Sequence, residues 1–293
     1  MCVQVTKHGN VLSEIVASGF CCGCGICAGI CSPGSIQMRL NDLGEYNPFP
    51  TENACTNCGV CLLVCPFSDR VANESALGQR WFASVDRVQH TDETGYFLTA
   101  FSGYSKVRGH RENGSSGGMA TWGLENLLSR HEVDAAICVS PSSGKNGRLF
   151  SYTDCRTAEQ VRASSRSCYY PVEMSAIIRK ILANDGQYIV TGLPCFCKSL
   201  RLAMEISPPL RKKIKFIFGL VCGQNKSRFF VECLCAMAGC DPHHLDEVVF
   251  RVKDRHRPAS DYGVHFRCNV DKATETRESV FWSEGMGRIW LDR

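Results

Sequence analysis

Long hydrophobic runs are missing from this 293-residue sequence: no stretch of about eighteen uninterrupted apolar residues occurs. The opening MCVQVTKHGNVLSEIVASGF has no basic segment leading into an apolar one, as a secretory leader would. On these two grounds the chain reads as cytoplasmic, without a transmembrane segment. Low-complexity composition is absent as well. With 44% hydrophobic and 21% charged residues, 26 glycines and 11 prolines, collagen-like and disordered classes are excluded. Charge of one sign is also scarce, since 33 Lys and Arg against 29 Asp and Glu leave a formal +4.

Cysteine is abundant instead, with 20 residues. A disulfide scaffold belongs to short secreted chains, so ligation of metal or redox chemistry is the better use of thiols in a chain of this length. CCGCGICAGIC, at 21–31, contains Cys21, Cys24, Cys27 and Cys31 in the spacing C-x2-C-x2-C-x3-C. CTNCGVCLLVCP, at 55–66, repeats it with Cys55, Cys58, Cys61 and Cys65. Three cysteines on a tight loop wrap three corners of a [4Fe-4S] cube, and the fourth, carried off on the next helical turn, reaches the other cube. Cys21, Cys24, Cys27 and Cys65 are therefore expected to hold one cluster, and Cys55, Cys58, Cys61 and Cys31 the other.

Glycines at Gly23, Gly25 and Gly59 let the backbone bend round a cluster and aim N–H groups at its sulfurs. Structural zinc is the alternative, but its knuckles are paired C-x2-C units separated by longer stretches, and four cysteines in eleven residues fit a tetrahedron poorly. Cys22 reads as a spectator, because the spacing is complete without it. Residues 15–68 thus resemble a bacterial two-cluster ferredoxin domain. Each cube with four thiolates carries about −2. Two cubes cancel the formal surplus, so no nucleic-acid partner is expected.

The expected fold class is an α+β ferredoxin-like two-cluster module at 1–68, a polar connector at 69–100, and an α/β domain with a partly parallel sheet at 101–293. DAAICVS (134–140), QYIVTG (187–192) and KIKFIFGLV (213–221) read as buried strands. AEQVRAS, PVEMSAIIRKILAND (from Pro171 to Gly186) and CKSLRLAMEI read as the helices between them. Ligands in such sheets sit beyond the carboxyl ends of strands. At 109–128, GHRENGSSGGMATWGLENLL offers small residues at a helix start, with Arg108, His110 and Arg111 close by. It is readable as a diphosphate cradle or as a simple helix cap. Cys195 in TGLPCFCKSLR and Cys222 in LVCGQNKS each follow a strand, as candidate cluster ligands, a redox pair, or plain buried thiols.

Taken together, the cysteine repeat, SSGGMATWGL, SSRSCYYPVE, TGLPCFCKSLR and GLVCGQNKS resemble, in order and spacing, the coenzyme F420 hydrogenase/dehydrogenase beta-subunit family of iron-sulfur flavoproteins. The resemblance implies FAD in the larger domain. Ser115, Ser116, Gly117, Gly118 and Thr121, with Ser165, Ser167 and Tyr169, would then lie in the flavin region. It also implies a further cluster near the flavin to which Cys195 and Cys222 could contribute. The family pattern continues with another C-x2-C pair downstream of a stretch like FWSEGMGRIWLDR, whereas this sequence ends at Arg293 without one. It resembles a member shortened at its C-terminus, and the missing pair argues against a third cluster unless Cys197 or Cys268 substitutes.

The expected activity is an oxidoreductase passing electrons between [4Fe-4S] clusters and FAD. Hydride would move to or from a two-electron carrier such as F420 or another organic substrate, and a redox partner protein or subunit would exchange single electrons. No side-chain base is needed for hydride transfer; His110 and Lys226 read as solvated residues that could touch substrate, and His243 with His244 as a turn. A non-catalytic relay or docking subunit without a working flavin site is the alternative. A thiol-redox enzyme built on Cys195 and Cys197 is a third reading.

Overall fold

The computed structural model describes residues 9–107, 109–142, 148–258, 260–271, 274–281 and 283. A π-helical turn at Leu12–Val16 leads to α1 (Ile26–Ile30), the hairpin β1 (Ile36–Leu40) and β2 (Tyr46–Pro50), and α2 (Val60–Leu63). Then come α3 (Glu74–Phe82), the short hairpin β3 (Gln89–Thr91) and β4 (Gly95–Phe97), α4 (His110–Asn113) and α5 (Met119–Ser129). The central part consists of β5 (Ala135–Pro141), β6 (Phe150–Cys155), α6 (Ala158–Ala163), α7 (Ser175–Ala183), β7 (Tyr188–Gly192), α8 (Pro194–Ile206), α9 (Pro208–Lys213) and β8 (Ile214–Gly219). The last elements are α10 (Arg228–Met237), a 3-10 turn at Pro242–His244, β9 (Leu245–Val252), β10 (Gly263–Asp271) and β11 (Thr274–Phe281). Among the described residues no helix is long and apolar enough to cross a membrane.

The central sheet has the order β6-β5-β7-β8, with β5, β7 and β8 parallel and β6 antiparallel at one edge. Its mixed character matches the expectation of a partly parallel sheet. Alternation along β5 and β7 supplies two apolar faces, as the period of two requires. Ala136, Cys138 and Ile189 pack with Leu124, Leu128 and Val161 from α5 and α6. Ala135, Ile137, Tyr188 and Val190 face the other way, onto α7 and α8. A second, antiparallel sheet, β11-β10-β9, carries α10 on a separate apolar core.

The cysteine-rich segment does not stand apart. Ile26, Cys27 and Ala28 share one core with Ile177, Ile178 and Leu200. A Cβ on Gly29 would lie 2.8 Å from Ile178 Cβ, so the glycine is what allows α1 to lie directly on α7. Polar bonds fix the same seam: Met174 N–H donates to the Cys24 carbonyl at 2.9 Å, Arg179 Nη2 to the Ala28 carbonyl at 2.8 Å, and buried Ser199 Oγ to the Val64 carbonyl at 2.6 Å.

Two helix boundaries differ from expectation for local reasons. The helix expected from Pro171 starts at Ser175, because the backbone at Met174 bonds the Cys24 loop and the buried Glu173 carboxylate accepts from Ser175 N–H at 2.6 Å. The helix expected from Cys197 starts at Pro194, whose fixed φ suits a first helical position. The polar stretch at 69–100 folds as α3 and the β3-β4 hairpin. It packs against α8 through Lys198 and Glu74 at 2.9 Å, and the guanidinium groups of Arg201 and Arg211 both lie over Trp81. Truncating Ile178 to alanine is expected to cost about 2–5 kcal/mol and to loosen the cysteine-rich segment together with the sheet. Anaerobic urea unfolding followed by both helical signal and alkylation of the buried Cys24 checks this, with one shared, lowered midpoint as the expected result.

Candidate functional site

The two cysteine motifs fold alike. Gly25 and Gly59 each precede a short helix in the left-handed conformation, with φ of 78° and 74°. Each helix carries the third cysteine of its motif, Cys27 or Cys61, in its first turn. The fourth, Cys31 or Cys65, follows just beyond the helix end. The first cysteine of each motif accepts a backbone N–H two residues on: Gly23 N–H to Cys21 Sγ and Asn57 N–H to Cys55 Sγ, both at 3.4 Å. Such N–H···S bonds stabilise thiolate charge.

Cys21, Cys24, Cys27 and Cys65 line one apolar pocket together with Ile15 and Val64. Burial pushes the Cys21 and Cys65 thiols up to about 11 and raises Cys27 well above the ordinary thiol range, and the neighbouring thiols add to the rise. The three raised thiols hold their protons until a cation arrives, and ligation releases them, whereas the bond from Cys22 lowers Cys24 against the effect of burial. That donor set fits an iron-sulfur cluster. Cys55, Cys58 and Cys61 form the corresponding trio, with Cys55 and Cys58 exposed and Cys61 buried, its thiol raised by burial. Cys31 sits half-buried past the end of α1.

Cys22 is not the idle neighbour that its place between ligands suggests. Its thiol lies in hydrogen-bond reach of both Cys24 and Cys195, linking the first cysteine loop to the head of α8. The bond from Cys22 lowers Cys195 to about 7 against the effect of burial, and the backbone at Phe196 helps. Cys197 donates to the Gly192 carbonyl at 3.3 Å, and burial raises its thiol to about 11. Cys222 lies beyond the end of β8, its thiol raised by burial and by the charge of Cys195. The thiols of Cys195, Cys197 and Cys222 thus gather at the carboxyl ends of β7 and β8, whereas Cys268 lies in the other core beneath α10.

The two serine-rich segments meet. Ser167 N–H donates to Ser115 Oγ at 2.6 Å, and Lys253 Nζ donates to the carbonyls of Arg111 and Ser116 at 2.6 and 2.9 Å. Beside them is a cavity of about 310 Å³ lined by Asn113, Arg162, Ser165, Arg166, Ser167 and Phe250, among others. Gly118 takes the left-handed turn that opens α5, Gly117 accepts from Ser105 N–H at 2.8 Å, and Thr121 is buried on the helix. Tyr169 turns away and packs edge-on against Phe250 and Phe230.

Burial lowers Lys253 below the usual ammonium range, and the positive charges of Arg111, Arg251 and Arg166 lower it further. Arg251 Nε is buried without a hydrogen-bond partner. A crowd of cations with an unused donor fits an anionic group such as a diphosphate. Arg166 lies within the SSRSCYYPVE motif, whereas Arg162, Arg251 and Lys253 belong to no motif of the sequence.

His110 corrects the expectation of a solvated side chain. It is 3% exposed, with Nε2 2.8 Å from Glu125 Oε2 and Nδ1 3.3 Å from Ser105 Oγ. Arg162 Nε bonds the same carboxylate at 2.9 Å. Burial opposes the Glu125 charge, but the bonds from Arg162 and His110 outweigh it and hold that carboxyl below the ordinary range. Lys226 lies over the Phe230 ring, and His243 and His244 form the expected turn. Arg108 and the terminal 284–293 lie outside the described residues.

Two family models match the chain. The first, coenzyme F420 hydrogenase/dehydrogenase, beta subunit N-term, covers residues 100–179, and the second, the C terminus of the same subunit, covers residues 185–281. The chain belongs to this family. A curated relative, the coenzyme F420-dependent sulfite reductase of Methanocaldococcus jannaschii, is 24% identical over 228 residues. These are 73% of this chain and 32% of the relative, so the chain spans about a third of that protein's length. A chain of the F420-reducing [NiFe] hydrogenase complex from Methanosarcina barkeri superposes with a TM-score of 0.45 at 14% identity, over 60% of this chain and 58% of that one.

The Cys22–Cys195 contact has a measurable signature. Iodoacetamide labelling of Cys195 is expected to rise with a midpoint near pH 7. In Cys22→Ala the midpoint should move up toward the ordinary thiol value of about 8.5. Peptide mass spectrometry across a pH series reads both.

Proposed function

We propose that this chain is an iron-sulfur flavoprotein oxidoreductase that relays electrons between two [4Fe-4S] clusters and FAD and exchanges hydride with a two-electron carrier of the F420 type. The observation that carries this reading is the seam at Cys24: a four-thiol pocket packed directly on the head of the family domain, with Cys22 linking it to Cys195. Cys21, Cys24, Cys27 and Cys65 would hold the inner cluster, and Cys55, Cys58, Cys61 and Cys31 the outer one. The exposed Cys55 and Cys58 would bring the outer cluster within reach of a partner protein.

FAD, when bound, supplies the exchange between one-electron and two-electron chemistry. The residues of the chain do the rest. Lys253, Arg251 and Arg166 would receive its diphosphate near the start of α5, while Ser115 and Ser167 hold the two binding segments together. Glu125 pins His110 and Arg162 at that site, and its charge keeps both donors oriented. Cys195, bonded to Cys22 of the inner loop, and Cys222 beside it at the strand ends would keep polarisable sulfur next to the inner cluster.

Iron, acid-labile sulfide and flavin counted on anaerobically purified protein test this reading. About eight irons and one flavin per chain are expected; the same iron with no flavin would leave a relay subunit and remove the enzyme. Cys65→Ser and Cys31→Ser should each bring the count down to about four irons, from different clusters with different electron paramagnetic resonance signals. Lys253→Ala should weaken flavin binding about tenfold or more, since a hydrogen bond to a charged group contributes about 1.5–3 kcal/mol. Flavin fluorescence after ultrafiltration measures it.

A further inference from the structure

Three cysteines that belong to neither cluster motif meet in the second core. Cys235 ends the buried face of α10, Cys240 follows the left-handed Gly239, and Cys268 comes from the central strand β10. Their Sγ atoms lie within 4.8 Å of one another, and those of Cys235 and Cys268 are 3.9 Å apart. The local backbone is arranged to make this happen. Gly239, at φ 83°, reverses the chain, and Cys240 N–H donates to the Cys235 carbonyl at 3.0 Å, which folds Cys240 back over the last helical turn.

The spacing discriminates among uses of sulfur. A disulfide needs about 2.05 Å, far shorter than the 3.9 Å between Cys235 and Cys268. An iron-sulfur cube puts each thiolate on its own iron and spreads them widely. A single zinc ion with Zn–S bonds of about 2.3 Å sets its thiolates about 3.8 Å apart in a tetrahedron. The nearest alternative donors in sequence, Asp241 and His244, are exposed and paired with each other at 3.1 Å.

From this geometry we infer that Cys235, Cys240 and Cys268 form a zinc site with three thiolate ligands and an open fourth position. The fourth position lies on the Cys240 side, the least enclosed of the three at 8% exposure against 0% for Cys235 and 1% for Cys268, and water completes it there. The ion joins α10 to the three-stranded sheet across a small core. Such cores benefit from a metal staple, and the thiols lose their protons on binding. The site stands apart from the iron-binding pocket, in a different core, so zinc and iron are independent counts.

The test is made on the full chain, purified anaerobically with its iron in place, given one equivalent of zinc chloride and desalted. About one zinc per chain is expected, with an X-ray absorption shell of three sulfurs at about 2.3 Å and one lighter atom. Cys240→Ser should lose zinc to below about one fifth of an equivalent while its iron content stays unchanged. The inference falls if the wild type retains no zinc, if its zinc shows four sulfurs, if mass spectrometry finds a disulfide among the three cysteines, or if Cys240→Ser keeps its zinc. Should that variant lose iron as well, the wild-type sulfur count alone decides, three sustaining the site and any other number overturning it.

Discussion

Gly29 has no side chain, and the arrangement of the molecule follows from that. Without a Cβ there, α1 settles against Ile178, and the cysteine loop comes close enough for its Cys24 carbonyl to take the N–H of Met174. A single hydrogen bond of this kind contributes about 0.5–1.5 kcal/mol net. Its weight lies in what it positions: it spends the first N–H of the segment ahead of α7, delays that helix to Ser175, and registers the thiol pocket against α8. Two segments that could have been beads on a string thereby share one core.

The seam also explains which features could be read from residues alone. Spacing of cysteines is a local code, so Cys21, Cys24 and Cys27 and their repeat at Cys55, Cys58 and Cys61 announce themselves, as do the strand runs of β5 and β7. Helix starts proved less legible where tertiary bonds compete for the backbone, as at Glu173 and Met174. The connector at 69–100 was opaque because its helix depends on Trp81 stacking with arginines from distant α8 and α9, a non-local contact without a sequence period. His110 misled because a histidine between charged residues looks solvated, and only the fold brings Glu125 and Ser105 to it. Arg251 and Lys253 carry no motif, since what joins them to Arg166 of SSRSCYYPVE is proximity in space.

Charge is distributed to match. The inner thiol pocket, if ionised, concentrates negative charge in an apolar setting, while the region by α5 concentrates positive charge that Glu125 only partly offsets.

That shared wall has a consequence for biosynthesis. The pocket that would receive the inner cluster is closed by Ser199 and registered by Met174, residues made well over a hundred positions after Cys21. Chains emerge from the ribosome N-terminus first. The nascent cysteine loops are thus produced early and stay unprotected until α7 and α8 have been translated and folded onto them. A cluster inserted before that moment would meet a half-built wall, because Ser199 and the Met174 backbone close the pocket only once the chain has been made past them.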